Sequence, residues 1–116
     1  MYIKKQKGAI MMDKKSLENI LTETYDYARK KLLETKDKLS VEYKGFIDED
    51  LAILDKVYNE IKKFDVNFYS LKSGSTETIV KDFKSNCLEK FNRILFMATP
   101  EYIKSYGITY AEYKAR

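Results

Sequence analysis

Hydrophobic side chains recur at helical intervals from Leu17 onward, at spacings of three, four and seven residues that form one helical face. Asp13 precedes this pattern and can cap the first turn with its carboxylate. Gly45 is the residue type that commonly ends a helix in a left-handed conformation. We therefore predict a first helix over residues 13–44. The alternative ends it near Leu39 and makes 41–47 a short strand. The stripe comprises Leu17, Leu21, Tyr25, Ala28, Leu32, Leu39, Tyr43 and Phe46.

A second helix is predicted to open at Asp48, Glu49 and Asp50, because acidic side chains in a first turn complement the helix dipole. Only a few residues separate the two predicted helices, and so short a connection favours an antiparallel hairpin between them. The apolar stripe of this second helix comprises Leu51, Leu54, Val57, Tyr58, Ile61 and Phe64.

The segment from Asp65 to Gly74 is ambiguous, because residues 66–71 have a strand-like composition but few candidate partners. Its only possible strand partners are residues 41–47 and the N-terminal arm. We interpret the segment as an ordered loop that lays Phe68 and Leu71 on the core, with a small sheet as the alternative.

A third helix is predicted after the turn and cap at residues 73–76. Thr99-Pro100 restarts the chain with proline at the first helical position, so residues 101–106 should form a short helix closed by Gly107. Thr109 and Glu112 match a capping box that opens a last turn or two. The third helix carries the stripe Ile79, Phe83, Cys87, Phe91, Ile94 and Ala98.

These patterns predict an all-α fold, an antiparallel three-helix bundle with a short C-terminal helical appendage. The alternative is an α+β fold with a small two- or three-stranded sheet. Residues 1–12 are predicted to be a flexible basic arm, and residues 13–116 a single helical domain. The longest apolar run, residues 94–98, is far short of the ~20 residues that span a bilayer, so we expect a cytoplasmic protein without membrane association.

The composition argues against catalysis. The chain has no histidine, which removes the commonest general base and zinc ligand. The one cysteine, Cys87, lies in an apolar stripe, where a buried inert thiol is the expected role. Asp48, Glu49, Asp50 and Asp55 could be considered for magnesium or calcium, but helix capping explains the first three and the spacing matches no calcium loop. We predict no enzyme activity, no cofactor and no metal site.

The C-terminal region carries the most distinctive chemistry, because tyrosines at spacings of four, four and three alternate with basic side chains. Tyrosine and arginine are typical of interface hot spots, although these rings could also pack back on the third helix. We predict a non-catalytic binding or regulatory protein that docks on a larger protein or ribonucleoprotein and acts by steric occlusion. Formation of a homo-oligomer is compatible with this prediction. Small basic proteins of this kind suit phage or mobile-element inhibitors of host machinery, CRISPR effectors included. The predicted partner-binding residues are Tyr102, Lys104, Tyr106, Tyr110, Tyr113, Lys114 and Arg116.

The alternative function is a DNA- or RNA-binding regulator that uses the basic arm and a helix-turn-helix-like hairpin over residues 102–113. Ile103 weakens the hairpin, since close helix packing usually requires alanine there. The net charge is only +4, and acidic residues share the first helix with the basic cluster. The candidate nucleic-acid contacts are Lys4, Lys5, Lys7, Arg29, Lys30 and Lys31.

Overall fold

The structure is a computed structural model and describes residues 13–106. Of these residues 89% are helical, and none of them forms a strand. The predicted all-α class is therefore confirmed, and the alternative with a small sheet is not supported. The predicted arm over residues 1–12, Gly107 and the capping box at Thr109 lie outside the described residues.

Three long helical segments and one short helix make up the described part of the chain. The first segment is α1, Lys14–Lys38. The second joins α2, Val41–Glu60, through a π-helical turn at Ile61–Asp65 to α3, Val66–Ser70. The third joins α4, Thr76–Phe83, through a π-helical turn at Lys84–Leu88 to α5, Glu89–Met97. The short helix is α6, Pro100–Tyr106.

The first helix begins where the sequence predicts it. The carboxylate of Asp13 accepts a hydrogen bond from the backbone N–H of Lys15 at 3.4 Å. The helix α1 packs against α2, α5 and α3. Four residues of its apolar stripe are fully buried: Leu17, Leu21, Ala28 and Leu32.

The first helix ends at Lys38, so the prediction of a helix to residue 44 is wrong. The alternative end near Leu39 is correct, but the short strand that it placed at 41–47 is helical. Leu39 and Ser40 have extended backbones, and Leu39 is buried in the core. Two donors satisfy the carbonyl of Lys36 at this corner, the Leu39 N–H at 3.2 Å and the Lys44 ammonium at 2.6 Å. Gly45 therefore lies inside α2 and caps no helix.

The acidic residues at 48–50 are also placed differently from the prediction, since they lie in the interior of α2 and cap no first turn. Asp48 pairs with the Lys36 ammonium across the α1–α2 corner, with an N–O distance of 2.6 Å. Asp50 is fully buried. The corner, rather than an acidic helix start, is what brings α1 and α2 together.

The segment predicted as a loop or strand is helical, and a π turn changes which of its residues face the core. The backbone N–H of Val66 donates to the carbonyl of Ile61, which adds a residue to this turn. The inward position after Ile61 is consequently Val66, and the expected core residues Phe68 and Leu71 are exposed. Phe64, predicted on the second stripe, is exposed too.

The third segment agrees with its prediction. Ser75 caps it, accepting a hydrogen bond from the Thr78 N–H at 3.1 Å, and Gly74 precedes it with φ of +132°. Tyr69 of α3 packs its ring edge on Phe83 at 5.6 Å, which fixes the start of this segment against the end of the second. All six predicted stripe residues are buried: Ile79, Phe83, Cys87, Phe91, Ile94 and Ala98.

Candidate protein-binding surface

The turn between α5 and α6 positions a row of three aromatic rings. Thr99 Oγ1 accepts a hydrogen bond from the Tyr102 N–H at 3.2 Å, which caps α6, and Ile103 anchors this helix in the core. The ring centroids of Phe96 and Tyr102 are 5.6 Å apart in an edge-to-face arrangement, and those of Tyr102 and Tyr106 are 4.5 Å apart. The three rings therefore form a continuous row that joins the end of α5 to α6.

The outer rings of the row are open to solvent. Phe96 is 66% exposed and Tyr106 is 67% exposed, whereas Tyr102 is half-buried between them. Lys104, on the same short helix, is exposed. We call Phe96, Tyr102, Lys104 and Tyr106 the α5–α6 aromatic surface.

The structure places the predicted partner-binding residues in two groups. Tyr102, Lys104 and Tyr106 lie in α6. Tyr102 is partly buried against the core, in line with the alternative that these rings pack back on the domain. Tyr110, Tyr113, Lys114 and Arg116 lie outside the described residues. Sequence reasoning missed Phe96; the available signal was a large aromatic residue outside the third helix's stripe.

A second exposed apolar surface begins in the π turn at Ile61–Asp65 and extends to Leu71, the residue that follows α3. Phe64, Phe68 and Leu71 are 60%, 57% and 72% exposed, and we call them the Phe64–Leu71 stripe. The Lys63 ammonium lies 5.3 Å from the centroid of Phe64, and the Lys72 ammonium lies 5.1 Å from that of Phe68. Two cations thus lie over the exposed rings.

The basic residues of α1 form a small and interrupted patch. Arg29, Lys30 and Lys31 are exposed, but Lys31 pairs with Glu34 at 3.7 Å and lies 5.6 Å from the centroid of Tyr27. The other candidate nucleic-acid contacts, Lys4, Lys5 and Lys7, lie outside the described residues. Of the candidate nucleic-acid contacts, the described residues are therefore Arg29, Lys30 and Lys31, three consecutive positions of α1.

The single cysteine is in an environment that disfavours its reactive form. Cys87 is buried in the core, and burial raises the pKa of its thiol to about 11, with the negative charge of Asp65 adding to the rise. Near neutral pH the side chain is therefore a thiol, which is a poor nucleophile.

Carboxylates are spread over the described surface. Asp48 is paired with Lys36, and Asp55 accepts a hydrogen bond from the Tyr25 hydroxyl. Within residues 13–106, no three His, Cys, Asp or Glu side chains are grouped so that they could hold a metal ion. No helix of this range is long and apolar enough to cross a bilayer.

A shallow open cleft lies beside the second π turn. Its lining is about equally polar and apolar, and Glu89 accepts a hydrogen bond at 3.3 Å from the side chain of Asn92, which lies one turn later in α5. Lys84 and Glu89 are the charged residues among those that line it.

Comparisons of the chain with protein-family models, with curated proteins and with solved structures find no match.

Proposed function

We propose that this protein is a non-catalytic binding protein that docks on a larger protein or ribonucleoprotein through the α5–α6 aromatic surface. The observation that carries the proposal is the row of contacting rings at Phe96, Tyr102 and Tyr106, whose two outer members are about two-thirds exposed.

Aromatic rings of this kind supply large contact areas with few rotatable bonds, so docking costs them little conformational entropy. Here the rings are further restricted, because Ile103 and the Thr99 cap hold α6 against the core. Lys104 adds a cation beside the rings, which suits a partner surface with negative charge.

Occlusion of a partner's working surface is the mechanism that such a protein would use, since it requires contact area and no acid–base chemistry. We extend the proposal to an inhibitor of host machinery carried by a phage or another mobile element. The small size and basic charge of the chain support this extension.

The test is affinity capture from a lysate of the cells that produce the protein, with and without nuclease. We expect the full-length chain to capture a partner that survives nuclease treatment. The double variant Phe96→Ala/Tyr106→Ala should reduce capture about tenfold or more, because both side chains are exposed contact residues. Tyr27→Ala is the matched control, since Tyr27 is 58% exposed on α1 and far along the chain from this surface.

Two results would contradict the proposal. Equal capture by the double variant would remove the α5–α6 aromatic surface from the interaction. Loss of capture on nuclease treatment, together with a steep salt dependence in a gel-shift titration, would instead indicate direct binding of nucleic acid.

A further inference from the structure

We infer that the Phe64–Leu71 stripe is a second docking surface, and that it inserts into an apolar groove bordered by carboxylates on a partner protein. It is separate from the α5–α6 aromatic surface. Phe83, which contacts the end of α3, precedes Phe96 by 13 residues, or about 20 Å of helix. Either surface can therefore fail its test without the other.

The π turn at Ile61–Asp65 is what turns the stripe outward. With the widened turn, Ile61, Val66 and Tyr69 face the core, and two phenylalanines and a leucine are left on the outside. Such turns are frequent at functional sites because they re-aim side chains within a helix. The two phenylalanine rings are thus exposed because the π turn sets the orientation of the helix, and not because a helix end unwinds.

The spacing of the stripe fits one mode of recognition. Phe64, Phe68 and Leu71 stand at positions i, i+4 and i+7, which is the anchor spacing of a helix that lies in an apolar groove. Phe64 lies in the π turn, Phe68 in α3, and Leu71 is the residue at which α3 ends. The three anchors extend over about 10 Å of helix axis. Their exposed surface is a few hundred Å² at most, well below the ~800 Å² per partner of a typical flat interface, so deep insertion of a few side chains is the fitting geometry.

The charges around the stripe specify the border of the groove. Lys63 lies over the ring of Phe64 and Lys72 over that of Phe68, so carboxylates that border the groove near these two anchors would pair with both. Asp65 is half-buried and its charge acts on Cys87, so it lies on the inner side of this helix. Glu60 is the exposed acid nearest to the stripe, one turn before Phe64.

The same charges disfavour a second copy of this chain. Two-fold packing of the stripe on itself, centred near Phe68, would bring Lys63 of one copy opposite Lys72 of the other. Like charges in that position destabilise an interface. A partner with the opposite charge is therefore favoured.

Nucleic acid and lipid fit the stripe less well. Bases stack on open aromatic faces, but ammonium groups occupy positions over Phe64 and Phe68. Binding to an anionic membrane surface draws on basic residues along the polar side of a helix, whereas the exposed acid Glu60 lies one turn before Phe64.

The experiment places the photoreactive residue p-benzoylphenylalanine at position 68 of the full-length chain and irradiates the producing cells. We expect an adduct with an identified protein, mapped to an apolar groove that has Asp or Glu side chains on its border. The matched control carries the same residue at position 27, where Tyr27 has the same exposure as Phe68 and also lies beneath a lysine. The control should give no such adduct.

Titration with the identified partner then tests the chemistry. Phe68→Ala should raise Kd about 30-fold or more, as expected for an anchor residue. Lys63→Glu/Lys72→Glu should raise it at least about tenfold, and Lys63→Arg/Lys72→Arg should leave it within about threefold. Circular dichroism should show the same helical content for all variants, because these side chains are exposed.

Several outcomes would overturn the inference. They are an adduct within the same chain or with a second copy, an adduct with nucleic acid, and no adduct at position 68. Equal Kd values for the Glu and Arg double variants would overturn it too. So would Phe68-dependent binding of the purified protein to phosphatidylserine vesicles or to a single-stranded oligonucleotide.

Discussion

Tyr25 and Tyr27 are two residues apart in α1 but have different surroundings. The Tyr25 hydroxyl donates a hydrogen bond to Asp55 at 2.5 Å, and its ring packs on Tyr58 with centroids 4.6 Å apart. Tyr27 is mostly exposed. We expect Tyr25→Phe to lower the free energy of unfolding by about 1 kcal/mol, because it removes one hydrogen bond. Tyr27→Phe should leave this free energy unchanged in the same urea titrations, and equal effects would contradict the assignment.

Cys87 makes the stability of the protein depend on pH at the alkaline end. Its pKa is about 11 in the folded protein, against 9.0 for the free side chain, because burial disfavours the thiolate. Between these values the unfolded chain loses the proton and the folded chain keeps it. The contribution to stability is therefore complete below pH 9 and is lost as pH rises through 11, an effect of about 3 kcal/mol.

The measurement compares the wild-type protein with Cys87→Ala, because lysines and tyrosines titrate in the same range. From pH 9 to pH 11, the free energy of unfolding of the wild-type protein should fall relative to that of the Cys87→Ala variant. A constant difference over this range would show that the thiol is not held in a desolvated environment.

At the scale of the helices, the two described glycines should respond oppositely to alanine. Gly45 is an exposed interior residue of α2, and a Cβ added there meets no atom within 4 Å. Gly45→Ala should raise the free energy of unfolding by about 1 kcal/mol, since alanine favours the helix. Gly74 has φ of +132°, so Gly74→Ala should lower it by about 1–2 kcal/mol. A loss of stability for Gly45→Ala would instead support the helix end that the sequence predicted there.

The helices with strong caps could be predicted from the sequence, whereas at the corner between α1 and α2 the sequence left two helix ends open, one near Leu39 and one at residue 44. Asp13 and Ser75 stand directly before apolar periodicity, and both cap their helices as predicted. At the corner, glycine is the stronger local signal for a helix end, but tertiary contacts decide the position. Leu39 is buried there, and the Lys44 ammonium binds the carbonyl of Lys36. Such contacts join residues that local periodicity treats separately.

At the scale of the whole molecule, one of the two candidate surfaces could be predicted from the local sequence and the other could not. The tyrosines of α6 were identifiable from their spacing and from the Thr99-Pro100 restart. The sequence instead predicts Phe64 on the apolar stripe of the second helix, and Phe68 and Leu71 as core residues contributed by an ordered loop. One π turn reverses that assignment, and composition gives no sign of it.

This register can be tested by two substitutions that a regular helix would rank in the opposite order. Val66 is fully buried, so Val66→Ala should lower the free energy of unfolding by about 2 kcal/mol through lost packing and a residual cavity. Phe64 is 60% exposed, so Phe64→Ala should change it by about 0.5 kcal/mol or less, although more atoms are removed. Urea denaturation of both variants gives the comparison. If Phe64→Ala were the more damaging change, the helix would be regular through residue 65, the stripe would face the core, and the surface proposed for docking would not exist.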